Sequence, residues 1–555
     1  MSIRTNKMKA VAVLLKRVTK ARSSFHQRGK DESFNGKLEK LTWELNKIKD
    51  VFTRVKNNED ELLDTLKEVD DHLRNLDSKI LDQEMDAICK RIRDCAHNLL
   101  PMDAFDDSSH PSSSSSSSSI QPKNHLLDQD LDLLQERYRE LKDSLKFCLY
   151  SLAFFPKDAV LKKRYTIYWW IGNDCIKTEE KTAEEVGEEV IDELLKLNMI
   201  VPYGNAKCPL VNKFQIHPHS RPILPHFDRH LVLEQQKVTL DKRAIPDYIF
   251  YILNIGASYL KFKSQWLFKI KNLKLKALQL GRWQDSPSHH IEVEGIQEFL
   301  KELRDIYSLL YLSLRGISRI SDLPPSITQL RNLQILDLKA CHNLETLPND
   351  ISSMQSLTHL ILSQCYLLDA MPKGIETLTN LQVLKGFVIG KPKKTPCTIS
   401  DLANLKELRR LSIHIGFEAV IKDGEFESLK ELSALKHLKI SWGMSRYSDI
   451  KIILPSSLKK LHLEGFPGQN IPEWLMPGKL ARGFKQLKII GGKLQSMNHD
   501  DDINKWGMEI VHLKYLKHLK VDLTNLQQLF PLLKYAQIKQ VSNHSHEWSV
   551  DSRER

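Results

Sequence analysis

The chain has 555 residues, of which 41% are apolar and 27% are charged. At roughly 150 residues per domain this length predicts three to four domains, and the composition is typical of globular proteins, which excludes a single small module and global disorder. No apolar run approaches the about 20 residues that a membrane-spanning helix needs, so the sequence predicts no transmembrane segment.

The first thirty residues carry much of the net charge of +12, with nine Lys or Arg and no Asp or Glu. This basic leader, 1–30, has three interpretations: a solvated extension, an arm that faces an anionic membrane, or an organellar transit peptide. The eight cysteines include no C-x-x-C pair, which predicts neither a disulfide framework nor a zinc knuckle and favours a reducing, cytosolic location.

Residues 31–105 show the heptad spacing of an amphipathic helix. Apolar positions follow one another in steps of three and four residues, at Leu38, Leu41, Leu45, Ile48, Phe52 and Val55. The pattern predicts a coiled-coil helical bundle, which is either a structural unit or an oligomerisation and partner-docking module. A flexible linker, 106–128, follows, because its eight consecutive serines at 112–119 cannot bury enough apolar surface to order the chain.

Residues 129–240 return to compact, mainly helical patterning. The most regular helix covers 182–197, and its apolar positions are spaced to face a core: Val186, Val190, Leu194 and Leu197. We expect its acidic residues to form an exposed face: Glu184, Glu185, Glu188 and Glu189.

The pattern L-x-x-L-x-L recurs through residues 260–535 and predicts a repeat architecture. Copies that start at Leu309, Leu333, Leu357 and Leu381 are 24 residues apart, inside the roughly 20–29-residue range of leucine-rich repeats. Stacked repeats form a curved solenoid whose short parallel strands line the concave face. We expect a tail at 536–555.

Two features of the repeats involve specific side chains. Cys341 and Cys365 follow the third leucine of their repeats by three residues, where a small side chain caps buried backbone. In the late repeats that begin at Leu435, Leu458, Phe484 and Leu516, the outward positions between the leucines are basic. This basic stripe is either a solvated face or a docking surface for an acidic partner, and its candidate residues are Lys436, His437, Lys439, Lys459, Lys460, His462, Lys485, Lys488, Lys517 and Lys520.

The sequence contains no recognisable motif for catalysis or cofactor binding. There is no G-x-x-x-x-G-K-[ST] phosphate loop, no G-x-S-x-G nucleophile elbow and no H-E-x-x-H zinc motif. The histidines between 217 and 230 lack paired cysteines that would complete a metal site. We therefore expect a protein that is not an enzyme and that holds no cofactor or metal.

Residues 131–225 carry a specific resemblance. The string LDLLQERYRELKDSLKFCLYSLAFFPKD at 131–158 resembles the start of the winged-helix domain of plant coiled-coil nucleotide-binding leucine-rich-repeat disease-resistance proteins. The strings YWWIGNDCI and TAEEVGEEVIDELLKLNMI are similar to two later stretches of the same domain. The resemblance implies a multidomain α and α/β fold: an N-terminal helical coiled-coil bundle, a winged-helix domain at 129–240 and a C-terminal leucine-rich-repeat solenoid.

The departures from this family concern its nucleotide switch. The nucleotide-binding and first helical ARC subdomains are missing, and the serine linker stands in their place. The family's Met-His-Asp motif, whose His contacts ADP, appears as Ile216-His217-Pro218, so that only His217 matches. The resemblance therefore implies a truncated member without an ATP-driven switch.

Together these observations predict a plant innate-immunity protein that acts by protein–protein recognition through its repeats and coiled coil. The expected partner is a pathogen effector, a guarded host protein or a full-length receptor of the same family, with association at an anionic membrane as a further hypothesis and the cytoplasm as the expected location. Two alternatives remain open: a nucleic-acid-binding winged-helix regulator, which the acidic helix at 182–197 disfavours, and a nonfunctional receptor remnant.

Overall fold

A computed structural model describes residues 14–18, 41, 45 and 134–549, with internal gaps at 177–179, 205–207, 225–228, 242–247, 264–265, 267–273, 285–290, 391–395, 417–418, 444–449, 498–504, 521–522 and 542–543. Most of the expected coiled coil and the whole linker at 106–128 lie outside the described residues. Among the described helices, none is long and apolar enough to cross a membrane.

A short part of the expected basic leader contacts the rest of the chain. Residues 14–18 are helical, and Leu14, Leu15 and Val18 are buried. Lys16 of this segment forms an ion pair with Glu345 of the repeat region. The described part of the leader is therefore packed against folded protein and is not a fully solvated extension.

Residues 134–224 form a small domain of helices and a three-stranded antiparallel sheet. The helices are α1 (Asp143–Ser151), α2 (Lys163–Gly172) and α3 (Ala183–Lys196). The strands are β1 (Leu161–Lys162), β2 (Ile200–Tyr203) and β3 (Lys213–Ile216), in the order β1-β3-β2. Three helices followed by an antiparallel sheet match the expected winged-helix domain.

Helix α3 begins with a reciprocal capping box. The Thr182 side chain accepts from the backbone N–H of Glu185, while the Glu185 carboxylate accepts from the backbone N–H of Thr182. Val190 and Leu194 are buried as the apolar spacing predicts, and Ile191 joins them. Asn198, in the left-handed conformation, ends the helix and turns the chain into β2.

The repeats form one long sheet that is parallel except at its last strand. Its fourteen described strands follow the order β20-β19-β18-β17-β16-β15-β14-β13-β12-β11-β10-β8-β6-β4. The early strands are β4 (His230–Leu233), β6 (Tyr251–Asn254), β8 (Ala277–Gln279), β10 (Tyr311–Ser313), β11 (Ile335–Asp337), β12 (His359–Ile361) and β13 (Val383–Ile389). The late strands are β14 (Arg410–Ile415), β15 (His437–Trp442), β16 (Lys460–Phe466), β17 (Gln486–Gly492), β18 (Ile510–Leu516), β19 (Tyr535–Val541) and β20 (His544–Ser549).

The convex side carries shorter elements. Strands β5 (Lys237–Leu240), β7 (Tyr259–Phe262) and β9 (Glu292–Glu294) form a second parallel sheet behind the first repeats. Helices α4 (Ile296–Glu302) and α5 (Leu523–Leu529) and several single-turn 3-10 helices connect the strands elsewhere. The core lies between the concave strands and these connections, and it contains the repeat leucines, including Leu312, Leu336 and Leu360, each at most 1% exposed.

The 24-residue period holds across four strands and then changes. Tyr311, Ile335, His359 and Val383 are register partners on neighbouring strands and are 24 residues apart. At β13 the register shifts between Lys385 and Phe387, around a glycine. Gly386 has φ +87°, and a Cβ there would lie 2.5 Å from the Leu362 carbonyl carbon, so only glycine fits. Later intervals vary in length.

The structure moves three boundaries that the sequence suggested. Strand β4 already belongs to the long sheet, so the solenoid begins near 230 and not at 260, because its first coils lack the leucine pattern. At the other end, β19 and β20 extend the sheet through most of the expected tail at 536–555. The last coil of the basic stripe is built on Val511 and Leu513, since Val511 pairs with Leu487, and not on Leu516 and Leu519.

The two repeat cysteines behave as expected. The Cys341 thiol donates to the Leu314 carbonyl and the Cys365 thiol to the Leu338 carbonyl, both at 3.1 Å, across to the preceding coil. Both are buried free thiols, and burial raises the pKa of Cys341 well above its ordinary value. They are structural parts of the coil turn.

Replacing Leu360 with alanine should lower the free energy of unfolding by about 2–5 kcal/mol, because the side chain is fully enclosed and leaves a cavity between coils. The conservative Leu360→Met change should cost less than about 1.5 kcal/mol. Urea denaturation followed by circular dichroism measures both. The exposed residue Arg331 provides the control, since Arg331→Ala should stay within about 0.5 kcal/mol of the wild type; equal losses for Leu360→Ala and Arg331→Ala would contradict the packing described.

Candidate functional site

The concave face of the solenoid has an apolar half and a basic half. Its early strands present apolar side chains that pack into the core of the winged-helix domain: Tyr251, Leu253, Ala277, Tyr311, Ile335, Ile361 and Val383. From β13 onward the equivalent positions are mostly polar or basic, beginning with Lys385 and Arg410. The winged-helix domain is thus seated on the apolar half, with its edge on the first basic coils.

Helix α2 makes the closest approach to the solenoid. Its Trp169 ring meets the Tyr311 ring edge-on at 5.7 Å, and Tyr165 donates a hydrogen bond to Gln279 on β8. A Cβ on Gly172 would lie 2.4 Å from the Cβ of Tyr311. The absence of a side chain at position 172 is therefore what lets the two domains touch.

Glu184 is the centre of a buried ionic network between the domains. Its carboxylate lies 2.6 Å from Arg410 Nε of β14, 3.1 Å from Arg164 Nη1 of α2 and 3.7 Å from His359 Nε2 of β12. Burial by itself raises the pKa of this carboxyl, but the neighbouring Arg410, His359 and Arg164 outweigh it and hold the pKa well below its ordinary value. The carboxylate is therefore ionised and binds the solenoid to α3.

Glu185 extends the contact to the next coil. Besides capping α3, its carboxylate lies 2.5 Å from Lys436 Nζ and 3.4 Å from Arg409 Nη1. The hydrogen bonds from Lys436 and Thr182 lower the pKa of Glu185 to about 2. Two consecutive glutamates of one helix thus engage basic residues from successive coils of the repeat.

Lys385 forms the third polar contact between the domains. Its Nζ donates to the Tyr168 hydroxyl at 3.0 Å. Burial, together with the nearby Arg164 and Arg410, lowers the pKa of Lys385 to about 7. This lysine is held partly neutral, so the network keeps its charged contacts at the two glutamates.

The expectation that the acidic residues of α3 face solvent is wrong for Glu184, which is 5% exposed. It holds for Glu189, which is exposed and pairs with Lys181. Periodicity alone could not separate them, because a buried carboxylate and a solvated one occupy the same helical face. The signal that was available is the match between an acidic helix and a basic stripe in the same chain.

The basic stripe of the late repeats divides into three groups in the structure. Lys436 pairs with Glu185, and His437 lies beside it, half-buried, where burial and the nearby Arg410 and Lys460 lower its pKa. Lys459 and Lys485 are exposed on the rim, where Lys485 pairs with Glu509 at 3.1 Å. Lys517 and Lys520 are exposed beyond the end of β18 and are not on the concave strands, a correction that follows from the register of that coil.

The remaining members form a continuous row on the open part of the concave face. Register pairs place Lys439 next to His462, His462 next to Lys488, and Lys488 next to His512. Lys460, which precedes His462 on β16, lies half-buried beside the edge of the winged-helix domain. We call Lys439, His462, Lys488 and His512 the concave row.

His217 lies at the end of β3 in the winged-helix domain. Its backbone N–H donates to the Met199 carbonyl, and its Nδ1 accepts from the backbone N–H of His219 at 3.3 Å. Within the described ranges, no group of three or more His, Cys, Asp or Glu is arranged to hold a metal ion. His217 is thus integrated in a local turn of the winged helix.

The fold defines a leucine-rich-repeat protein with a winged-helix domain seated on its concave face, and sequence comparisons agree. A family described as leucine-rich repeat region matches residues 292–508, and one described as disease resistance protein winged helix domain matches residues 154–219. Among relatives from Arabidopsis thaliana, disease resistance RPP13-like protein 4 is 28% identical over 439 residues, covering 73% of this chain and 50% of that protein. The chain belongs to this plant disease-resistance family.

Two further matches are more limited. Probable disease resistance protein At1g59620 of Arabidopsis thaliana is 24% identical over 205 residues, which cover 36% of this chain and 22% of that protein. Among solved structures, a leucine-rich-repeat protein of Leptospira interrogans matches with a TM-score of 0.35 and 18% identity, covering 54% of this chain and 81% of that one. The chain spans about half the length of the first of these relatives, and less of the second.

Changing Glu184 to glutamine should weaken the seating of the winged-helix domain by about 3–5 kcal/mol, because Arg410 and Arg164 would be left buried without their counter-charge. Hydrogen–deuterium exchange measures the outcome as a joint loss of protection in α2, α3 and β14. The matched control is Glu189→Gln on the same helix, whose partner Lys181 is exposed and which should leave exchange unchanged. Similar effects from the two variants would contradict the network.

Changing Gly172 to alanine should open the same interface without altering any charge. The added methyl group would overlap Tyr311, at a cost of about 1–3 kcal/mol, unless the domains separate. Exchange should rise in α2 and β10 while the late repeats stay protected. Gly478→Ala is the control, because nothing lies within 4 Å of a Cβ there; unchanged exchange in α2 would show that the domains are not packed as described.

Proposed function

We propose that this chain is a plant disease-resistance protein that acts by recognising another protein through the concave face of its repeats. The observation that supports the proposal is the division of that face: the apolar half binds the chain's own winged-helix domain, while the concave row lies on the basic half beyond it. Repeat proteins use such extended concave surfaces for binding. Family membership supplies the biological role.

Three partner classes fit this role: a pathogen effector, a guarded host protein or a full-length receptor of the same family. The chain acts without enzymatic chemistry and without its own nucleotide switch, and it works in the cytoplasm. Association of the basic leader with an anionic membrane remains a separate hypothesis, and a fusion that lacks residues 1–30 tests it by its location in the cell.

The alternative function, nucleic-acid binding by the winged helix, has less support. The helix that would enter a DNA groove is α3, and its Glu184 and Glu185 face the solenoid and bear negative charge. A phosphate backbone would be repelled from this surface. Protein recognition is therefore the function that the geometry favours.

The proposal is tested by pathogen growth on plants that express the wild-type chain, no chain, or the triple variant Lys439→Glu, Lys460→Glu and Lys488→Glu. We expect resistance with the wild type and its loss with the variant, because charge reversal repels an acidic partner. The matched control carries Lys517→Glu and Lys520→Glu, which change exposed lysines outside the concave strands. Equal pathogen growth with and without the chain would overturn the proposal and favour the remnant hypothesis.

A further inference from the structure

The concave row has a regular alternation of lysine and histidine across four neighbouring strands. Lys439, His462, Lys488 and His512 occupy one register line from β15 to β18. Neighbouring strands are about 4.8 Å apart, so the row is about 14 Å long and its two lysines, two strands apart, are separated by about 10 Å at the backbone. The row thus presents two cations at a fixed spacing.

The charge around the row is unbalanced. Lys439 pairs with Glu464 at 2.5 Å, which leaves Lys488 with no carboxylate at ion-pair distance in the described part of the chain. Burial, with Lys514 and Lys439 nearby, lowers the pKa of Lys488 to about 8. Crowded cations without counter-charges are unfavourable, so an anionic ligand would be stabilised here.

The imidazoles between the lysines add neutral hydrogen-bonding groups. His462 Nε2 is buried and, among the described residues, has no hydrogen-bond partner. His512 Nδ1 lies 3.3 Å from the Gln537 amide oxygen. Burial, together with Lys488 and Lys514, lowers the pKa of His512 to about 4, so this ring is neutral at physiological pH. The row therefore offers hydrogen bonds as well as charge.

The same face already binds an acidic helix within the chain. Glu184 and Glu185 of α3 contact Arg410 and Lys436 on the coils just before the row. This internal contact establishes that a helix fits the curvature of the concave face and that its carboxylates reach the basic side chains. The row continues the same surface past the end of the contact.

We propose that the concave row binds an acidic helix of a partner protein that carries carboxylates seven residues apart. Seven residues rise about 10.5 Å along a helix and return to nearly the same face, which matches the separation of Lys439 and Lys488. The inference rests on the proposed function, that the concave face recognises a protein, and adds the chemistry and geometry of what it recognises.

The test uses the full chain and two fluorescent helical peptides of the same composition, an alanine and glutamine background with four glutamates. In one peptide two glutamate pairs have seven-residue spacing; in the other the same residues are five apart and fall on different faces. Fluorescence anisotropy at low salt gives both dissociation constants. We expect at least tenfold tighter binding of the first peptide, as two additional charge-assisted hydrogen bonds would produce.

Two variants of the row sharpen the test. Lys488→Gln should weaken binding of the seven-spaced peptide about tenfold, and Lys488→Arg should largely restore it. Glu464→Gln should tighten binding, because it frees Lys439 from its present partner. A gain of affinity cannot result from misfolding. The matched control, Lys517→Gln with Lys520→Gln, removes two exposed cations off the row and should change little.

Several results would overturn the inference. Equal binding of the two peptides, or equal losses from the Lys488 variant and the control, would mean general charge attraction. Binding of inorganic polyphosphate without binding of either peptide would assign the row to phosphate polymers. If these results appeared while the triple lysine variant still abolished resistance in plants, the recognition function would stand and only the acidic-helix ligand would be wrong.

Discussion

The ion pair between Glu184 and Arg410 determines how the two described domains are arranged. A carboxylate that is 5% exposed must be paired, since an unpaired buried charge costs several kcal/mol. Here its partners come from both sides: Arg164 belongs to the same domain, whereas Arg410 and His359 belong to the solenoid. The carboxylate is fully compensated only when the winged helix is seated, which makes the seating specific as well as favourable.

The apolar contacts and the ionic contacts have different roles in that interface. Tyr311, Trp169 and the gap at Gly172 provide buried area, which is favourable but tolerates small shifts. The contacts of Glu184 and Glu185 with successive coils fix the position along the solenoid, because carboxylate–guanidinium geometry is directional. The boundary between covered and open concave surface is set by where these glutamates meet Arg410 and Lys436.

Sequence reasoning predicted local and periodic features well. The leucine spacing gave the coils from Leu309 to Leu381, the position of Cys341 and Cys365 gave their capping contacts, and the segment 182–197 gave helix α3. It failed where the period is broken. Strand β4 lacks the leucine pattern, and the last basic coil offers two leucine registers, at Val511 and at Leu516, that only strand pairing separates.

The candidate site was only partly predictable for a related reason. Basic residues on outward positions were identified from the pattern, but their partners are distant in sequence: Lys436 and Glu185 are 251 residues apart. Charge complementarity between segments is visible in the sequence, whereas proximity is not. The separation of the stripe into the paired Lys436 and the open concave row therefore required the three-dimensional structure.

The change of period at Gly386 has an evolutionary consequence. The coils that support the winged helix share one 24-residue length and are register-locked, whereas the intervals after β13 differ from one another. The differences lie in the connections between strands, where insertions and deletions leave strand pairing intact. The late coils can thus gain or lose residues and re-aim their side chains over generations, while the early coils keep the domain seat unchanged.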